Sequence, residues 1–310
     1  MALAETAFRN SAALELTQVQ KKYGDLQVLQ GLDMKVASGE VYGFLGRNGA
    51  GKSTALRIIM GITHADSGGI SLGGQQIAAN DPLPRQQIGY VAQEQHFYGW
   101  MTAPRIGRFV SGFYPTWDDA EYRRLLHVLE VPLERKIAGY SGGMNTKLAL
   151  CLALATKPKL LLLDEPTAGM DAVARREFID IVKDDAARTE RTTLFSSHLI
   201  DEVEMAADKV GILDGGVMRF EGSLQDLQQT VKRFIHRRSD DEEHTVSELP
   251  TSVGKVLRDQ TRDGQREVIM QYLPDHLADL PAELPSGDWR MEQPSLEDIF
   301  VAMVGKRLAI

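Results

Sequence analysis

The stretch Gly46 to Thr54 reads GRNGAGKST and combines three spaced glycines with a lysine and two hydroxyl residues. It fits the pattern G-x-x-x-x-G-K-[ST], in which backbone N–H groups wrap a polyphosphate. Glycine suits this task because a residue without Cβ lets the backbone approach phosphate oxygens and adopt positive φ. Lys52 adds a point charge at the β- and γ-phosphates, and Ser53 can supply one Mg²⁺ ligand. The stretch therefore predicts a nucleotide-polyphosphate site.

Two acidic residues follow the apolar run Leu160 to Leu163. The run predicts a buried strand, and ligands of open α/β sheets gather at the carboxyl ends of such strands. Asp164 can hold Mg²⁺, usually through water, and Glu165 can orient and polarise an attacking water. An acidic strand end alone is weak evidence because many strand ends are acidic for solubility. Together with the phosphate loop it indicates nucleotide hydrolysis.

A second anion-binding element lies at Ser141-Gly142-Gly143, which precedes the apolar segment Asn145 to Leu152. These residues are expected at a helix N-terminus, where N–H groups and the helix dipole attract anions. One nucleotide rarely needs two such elements from the same protomer. His198 follows a predicted strand and could donate to a γ-phosphate, although a strand-end histidine is more often structural.

The elements that position these residues alternate between strands and helices. The short buried strand Val41 to Leu45 precedes the glycine loop, and Ala55 to Met60 continues after it as a helix would. Further strands are predicted at Leu14 to Val19, Leu32 to Val36, Leu160 to Leu163, Thr192 to Phe195 and Val210 to Leu213. This alternation predicts an α/β fold with a mostly parallel sheet and helices on its faces.

The region from about 95 to 156 is predicted to be mainly helical. Thr116 and Asp119 have the spacing of a capping box, and apolar residues then recur at helical intervals. We therefore expect an amphipathic helix over residues 117–130.

Composition changes near residue 230. The basic run Lys232 to Arg238 is followed at once by the acids of Asp240 to Glu243, which favours a linker and solvated surface segment over a lipid or nucleic-acid site. Prolines then recur at 250, 274, 281, 285 and 294. The rest is expected to be a small α+β appendage. Its last helix would be capped by Ser295 and Asp298, with an apolar stripe that packs on its own domain.

Composition excludes several classes of protein. A chain of 310 residues with 43% hydrophobic residues has enough apolar content for a sizeable core. A net charge of −8 argues against non-specific nucleic-acid binding, and no specific nucleic acid is expected as a partner. The single cysteine, Cys151, allows no internal disulfide and is expected to be buried and inert. Glu5 and Arg9 interrupt any signal peptide, and no apolar run approaches the roughly 20 residues that span a bilayer.

Six motifs together resemble those of an ABC transporter ATP-binding subunit, in that family's order. The motifs are Gly46 to Thr54, Gln93 in Val91-Ala92-Gln93-Glu94, Tyr140 to Met144, Leu160 to Pro166, Ala168 to Asp171, and Ser197-His198. They look like the Walker A, Q-loop, signature, Walker B, D-loop and H-loop, and the resemblance covers about residues 14 to 228.

The resemblance implies a P-loop NTPase fold with a mostly parallel sheet, an antiparallel β portion at the N-terminus and a helical subdomain. It implies an N-terminal extension over residues 1–13, an ATPase domain over 14–229 with its helical subdomain at about 95–156, and an accessory domain over 230–310. The ligands implied are ATP and Mg²⁺, with the metal held by Ser53, Gln93 and Asp164.

Site roles follow from the same resemblance. Glu165 would be the catalytic base, His198 would hold the γ-phosphate and water, and Gln93 would contact Mg²⁺ and report to the membrane partner. Tyr23 matches the family's aromatic that stacks on adenine; the alternative is an ordinary surface tyrosine. Asp171 would signal across a dimer. The remaining residues implied to bind ATP are Gly46, Asn48, Gly49, Ala50, Gly51, Lys52, Ser53, Thr54, Ser141, Gly142 and Gly143.

The implied assembly is a head-to-tail homodimer, or a pseudo-dimer of similar subunits, that sandwiches two ATP between the loop of one protomer and Ser141 to Gly143 of the other. The implied partner is an integral membrane permease, so the chain would be cytoplasmic and peripheral on the inner face of the membrane. Pro294 to Phe300 resembles the C-terminal segment of subunits that serve drug, antibiotic or lipid exporters, which favours export.

Departures and alternatives accompany this interpretation. Met144 and Asn145-Thr146-Lys147 replace the commoner glutamine and basic residues after the signature glycines, which bears on the strength of the dimer contact. Trp100 to Arg105 lacks an acidic residue often found there, which bears on coupling. The alternatives are a non-transport ABC-type ATPase acting in regulation, signalling or translation, and a GTPase or small-molecule kinase. A guanine-specifying Asn-Lys-x-Asp is missing, and a signature helix has no task in either a GTPase or a kinase.

Overall fold

The computed structural model describes residues 12–78, 81–82, 84–237, 254–262, 264–273 and 289–305. The chain divides into two compact units between Glu221 and Gly222. In chain order the first unit contains β1 (Ala12–Tyr23), β2 (Leu26–Ala37), β3 (Val41–Gly46), α1 (Lys52–Ile59), β4 (Ser67–Leu72), β5 (Gln75–Gln76), β6 (Ile88–Val91), α2 (Ala103–Ser111), α3 (Asp119–Val128), α4 (Gly142–Ala155), β7 (Leu160–Asp164), α5 (Ala172–Thr189), β8 (Thr192–Ser197), α6 (Ile200–Ala206), β9 (Lys209–Asp214) and β10 (Val217–Ser223), which runs past the division. Short 3₁₀ turns lie at Pro84–Gln87 and Ile137–Gly139.

A six-stranded sheet forms the centre of the first unit, with strand order β10-β9-β3-β8-β7-β6. The pairs β9–β3, β3–β8, β8–β7 and β7–β6 are all parallel. Every residue of β3, β7 and β8 is buried, because helices cover both faces of a parallel sheet. This confirms the mostly parallel sheet predicted from the alternation of strands and helices.

The register of this sheet brings several loop starts to one edge. Leu45 pairs with Ser197, and Asp164 pairs with Ser196. Val91 pairs with Leu163 on the outer side of β7. Because the strands are parallel, their carboxyl ends meet at the same edge. The segments that follow β3, β6, β7 and β8 therefore start side by side.

An antiparallel sheet with strand order β2-β1-β4-β5 accounts for the N-terminal part. Its strands alternate buried and exposed positions, as expected when one face packs on a core. Its buried leucines join one hydrophobic cluster with α1 and the parallel sheet, including Leu14, Leu29, Leu56 and Leu162.

The helical region contains α2, α3 and α4, but the predicted capping box at its second helix is wrong. The N-cap of α3 is Asp118, whose side chain accepts from the Glu121 N–H at 2.9 Å. Thr116 instead donates its hydroxyl to the carbonyl of Thr156 at 2.6 Å. Two capping residues lie close together here, and the one that adopts the extended N-cap conformation starts the helix. Cys151 is buried within α4, as expected, and burial raises the pKa of its thiol.

The second unit contains α7 (Leu224–Thr230), β11 (Val231–Arg237), β12 (Gly254–Arg262), β13 (Gln265–Tyr272), β14 (Trp289–Glu292) and α8 (Leu296–Val304). The strands form an antiparallel sheet with order β12-β13-β11-β14. The predicted capping box of α8 is confirmed, since Ser295 and Asp298 satisfy each other's backbone N–H groups. This confirms the α+β character predicted for the appendage.

The basic run after residue 231 is not the linker and solvated segment that its charges predicted. Residues up to Arg237 form β11, which lies between β13 and β14. Phe234 and His236 are buried, and Arg233 pairs with Asp298 at the start of α8. The charges misled because the acid that pairs with Arg233 lies far along the chain. Residue 238, the acidic run 240–243 and the prolines at 250, 274, 281 and 285 lie outside the described residues.

None of the helices in the described residues has the length and apolar character that spanning a bilayer requires.

Candidate active site

The phosphate-loop motif connects β3 to α1, as its pattern requires. Gly51 is the N-cap of α1 with φ 112°, and no side chain caps this helix end. A Cβ on Gly51 would lie 2.8 Å from Leu29 Cδ2 and 3.0 Å from the Val28 carbonyl oxygen. Gly49 also has positive φ, and a Cβ there would meet nothing within 4 Å. The loop thus places uncapped N–H groups beside open space, which suits a polyphosphate.

Lys52 connects the loop to the acidic strand end. The residue is only 4% exposed. Its Nζ donates to the carbonyl oxygens of Gly46 at 2.7 Å and Arg47 at 3.2 Å. It also lies 3.1 Å from Oε1 of Glu165. These acceptors hold Nζ beside the loop, where phosphates would bind.

Hydroxyl groups from one helix and two strands face the carboxylate of Asp164. Ser53 on α1 donates to Oδ1 at 2.8 Å, and Ser196 on β8 donates to the same oxygen at 2.9 Å. The Tyr90 hydroxyl lies 3.5 Å from Oδ2. Burial, together with the nearby Asp164 charge, raises the pKa of Tyr90 to about 12, so its phenol stays protonated and can donate.

The Ser53 hydroxyl and the Asp164 carboxylate fit a magnesium ion. Both are hard oxygen ligands, and they lie within hydrogen-bonding distance of each other. Among the described residues no group of three or more His, Cys, Asp or Glu side chains could hold a metal. Magnesium is usually bound by one or two carboxylates plus substrate phosphates, and Asp164 supplies one such carboxylate.

Glu165 is held between a lysine and a histidine. Oε1 faces Lys52, and Oε2 lies 3.1 Å from Nδ1 of His198. Its backbone N–H donates to the Ser196 hydroxyl at 3.0 Å. Glu165 also has φ 44°, a conformation that is uncommon for a residue other than glycine. Strained residues of this kind concentrate at functional sites, where the surrounding structure holds them.

The other predicted site residues occupy separate positions. Gln93 is exposed two residues beyond the end of β6, beside the start of the segment that follows β7. Tyr23 is exposed at the end of β1, with Lys21 Nζ 5.2 Å from its ring centroid. Asp171 is the N-cap of α5 and accepts from the backbone N–H groups of residues 173 and 174.

Ser141 is the N-cap of α4, and its hydroxyl accepts from the Met144 N–H at 3.3 Å. Gly142 and Gly143 form the first turn, as predicted, and a Cβ on Gly142 would meet nothing within 4 Å. The hydroxyl proton of Ser141 remains available to a ligand, because the cap uses only the oxygen lone pair. In the part of the chain that the structure describes, Lys52, Ser53, Asp164, Glu165 and His198 are brought together, and no hydrogen bond joins Ser141, Gly142 or Gly143 to them.

Sequence reasoning missed Ser196. Its hydroxyl donates to Asp164 and accepts from the Glu165 N–H, so it bridges the two acids. The available signal was a polar residue at the end of an apolar strand that pairs in parallel with the acidic strand. Without the register, Ser196 and Ser197 could not be distinguished.

The comparisons with known proteins agree with this geometry. A family model described as "ABC transporter" matches residues 29–168. The chain is 36% identical over 219 residues to the linearmycin resistance ATP-binding protein LnrL of Bacillus subtilis (strain 168), covering 69% of this chain and 70% of that protein. It is 30% identical over 309 residues to Nod factor export ATP-binding protein I of Rhizobium sp. (strain N33), covering 96% of this chain and 99% of that protein.

A solved structure of an ATP-binding subunit of an ABC transporter has a TM-score of 0.63 and 29% identity, covering 70% of this chain and 92% of that chain. The fold and site together define a P-loop ATPase. The chain belongs to the family of ABC transporter ATP-binding proteins, and it is a subunit that binds and hydrolyses ATP. The resemblance stated from the sequence motifs is thereby confirmed, as are ATP as the nucleotide and a P-loop fold.

Proposed function

We propose that this ATPase exports a solute through a separate membrane-spanning permease, and that Glu165 is the base for hydrolysis. The observation that carries the second part is the placement of Glu165 between Lys52 and His198 at the end of a buried strand. The carboxylate is oriented at both oxygens, which leaves little freedom for misalignment. A base held in this way can take a proton from a water that attacks the γ-phosphorus.

Each residue of the site has a distinct proposed task. The uncapped N–H groups at the start of α1 and the charge of Lys52 bind the phosphates. Glu165 accepts the proton of the attacking water, and the bond from the γ-phosphorus to the ADP oxygen breaks. His198 orients Glu165 through its Nδ1. Gln93 follows β6, the strand that pairs with β7, and would sense the bound nucleotide.

Ser53 and Asp164, with Gln93, are proposed to hold Mg²⁺. When bound, this ion neutralises charge that develops on the phosphate oxygens. Ser196 keeps Asp164 oriented through its hydrogen bond to Oδ1.

A head-to-tail dimer or pseudo-dimer that encloses two ATP would explain the second helix end. Ser141 and Gly142 are exposed at the start of α4, with a free hydroxyl proton and no neighbouring atom above the glycine. This is a second anion-binding helix end, separate from the start of α1. Tyr23 is exposed and would stack on adenine, and Asp171 would signal across the dimer. Met144 and Asn145 differ from the residues common in the family at these positions, but Ser141 and the backbone N–H groups of this helix end are still present.

An exposed aromatic cluster supports docking to a membrane permease. The cluster consists of four exposed side chains, Tyr98, Trp100, Phe109 and Phe113. The ring centroid of Tyr98 lies 6.2 Å from that of Trp100 and 5.9 Å from that of Phe109, and the centroids of Phe109 and Phe113 lie 5.3 Å apart. Trp100 is 61% exposed. Contiguous exposed apolar patches mark interaction sites on soluble domains. We propose that a cytoplasmic segment of the permease covers this cluster, which would place the chain on the inner face of the cell membrane.

Export is supported by the relatives. One is named for resistance to linearmycin and another for Nod factor export. The second name states export directly. The Nod factor relative aligns along nearly its whole length, including the C-terminal unit.

The test is ATP hydrolysis by the purified chain with Mg²⁺, alone and with its permease in inside-out vesicles. Glu165→Gln should abolish turnover and retain ATP, because the amide keeps the shape and loses the basic oxygen. Glu204→Gln is the matched control, since Glu204 is exposed on α6 and should leave turnover unchanged. Retained turnover in Glu165→Gln would exclude this base, and an absence of ATP-dependent solute accumulation in the vesicles would exclude export.

A further inference from the structure

Glu202 is a buried carboxylate that the proposed hydrolytic step does not use. It lies on α6, and only 1% of its surface is exposed. Withdrawing a carboxylate from water is costly unless hydrogen-bond donors and positive charge surround it. A residue of this kind on a short helix beside the active site therefore calls for a physical explanation.

Three donors from three separate segments face this carboxylate. The Ser197 hydroxyl donates to Oε2 at 2.5 Å. The Thr167 hydroxyl donates to Oε1. Arg175 Nε on α5 lies 3.6 Å from Oε1. The side chain of Glu202 thus joins the end of β8, the segment after β7 and the first turns of α5.

Two of the joined segments carry a residue of the active site. Ser197 directly precedes His198, and its oxygen also accepts from the Leu199 N–H at 2.9 Å. The backbone on both sides of His198 is therefore tied to one hydroxyl. That hydroxyl lies 2.5 Å from Glu202 Oε2 and 3.2 Å from the Leu199 carbonyl oxygen, so Glu202 is the nearer acceptor. Thr167 lies two residues after Glu165, and Arg175 lies on the helix that Asp171 caps.

We propose that Glu202 is a positioning residue for ATP hydrolysis. Its carboxylate holds the Glu165 segment and the His198 turn at a fixed separation, which maintains the 3.1 Å contact between Glu165 Oε2 and His198 Nδ1. Glu202 does not touch the reacting atoms and acts through Thr167 and Ser197. The inference rests on the proposed role of Glu165 as the base.

A purely structural role makes a different prediction. If Glu202 only anchored α6, its replacement would lower the thermal midpoint and weaken ATP binding together with turnover. A positioning role lowers kcat and leaves the KM for ATP nearly unchanged, because the phosphate-binding loop is not touched. The two roles therefore separate in the kcat and KM values.

The first experiment compares two glutamate-to-glutamine substitutions on α6. Glu202→Gln presents an amide NH₂ to one of two hydroxyl donors, so one segment must reorient. We expect kcat to fall about tenfold to a hundredfold, with KM within about twofold of wild type. Glu204→Gln, an exposed residue of the same helix, should change neither value. A wild-type kcat in a folded Glu202→Gln would overturn the inference.

The second experiment probes Thr167 and remains decisive if Glu202→Gln does not fold. Thr167→Val removes the hydroxyl and keeps the shape, whereas Thr167→Ser keeps the hydroxyl. We expect Thr167→Val to lose kcat and Thr167→Ser to retain it, with similar KM values. Equal loss in both variants would show that packing and not the hydrogen bond matters, and would overturn the inference.

The Glu165→Gln variant separates this inference from the proposed function. If Glu165→Gln is inactive and Glu202→Gln is fully active, only the positioning role is lost. If Glu165→Gln hydrolyses ATP, the base assignment fails, and the positioning role that rests on it fails too.

Discussion

Removing the Ser196 hydroxyl tests whether the two acids are held by the side chain that sequence reasoning missed. Ser196 is fully buried, donates to Asp164 Oδ1 at 2.9 Å and accepts from the Glu165 N–H at 3.0 Å. Ser196→Ala leaves that N–H without its acceptor, which costs about 1–3 kcal/mol, and removes one donor from a charged carboxylate that Ser53 still contacts. We expect the free energy of unfolding to fall by about 2–4 kcal/mol.

The same strand provides a matched control. The Thr193 hydroxyl is also buried on β8, but it has no hydrogen-bond partner among the described residues. Thr193→Val removes this hydroxyl with little change of shape, so the free energy of unfolding should stay the same or rise by about 1 kcal/mol. Both variants leave the second unit untouched, so their difference reports on the first unit alone.

Urea unfolding followed by circular dichroism, with equal slopes for the variants, measures this difference. The turnover of Ser196→Ala should also fall by about tenfold or more, because Glu165 loses the contact that orients its backbone. If Ser196→Ala unfolds within about 0.5 kcal/mol of Thr193→Val, the bridging hydrogen bonds do not carry the stability assigned to them.

Two further predictions concern the glycine loop and the helical region. Gly51→Ala should weaken ATP binding, measured by calorimetry, and lower the thermal midpoint. A residue with a Cβ at φ 112° is strained by about 1–3 kcal/mol, and this Cβ would meet the Val28 carbonyl oxygen. The control, Gly112→Ala, has an ordinary φ and a Cβ 3.5 Å from its nearest neighbour, and it should change neither quantity. The pKa of Glu121 is lowered to about 2, first by its hydrogen bond with Arg124, so the charged carboxylate stabilises the fold above its unfolded pKa of about 4.3 and this contribution is lost as pH falls from there toward 2. In a carboxyl NMR titration Arg124→Ala should move the Glu121 midpoint upward, and an unchanged midpoint would rule out this cause.

Several features could be predicted from local spacing. The Gly46 to Thr54 motif, its preceding strand and its following helix depend only on neighbouring residues, and the structure has all three. The Ser295 and Asp298 capping box has the same local character. In contrast, Thr116 was predicted to cap the helix that Asp118 caps, and only the path of the chain before α3 decides which of these neighbouring residues does so.

By itself the sequence determined the phosphate loop, the acidic strand end, the alternation of elements and, through its motifs, the family. These are patterns of adjacent residues, and they follow from side-chain size, backbone freedom and polarity. Only the tertiary structure decided that Ser196 bridges Asp164 and Glu165, that Lys52 reaches Glu165, and that the basic run forms an inner strand. The first two contacts depend on the parallel pairing of β3, β8 and β7, and the inner strand depends on the antiparallel pairing of β11 with β13 and β14. These strands are far apart in the chain, and a one-residue shift in register would turn a strand's side chains to the opposite face.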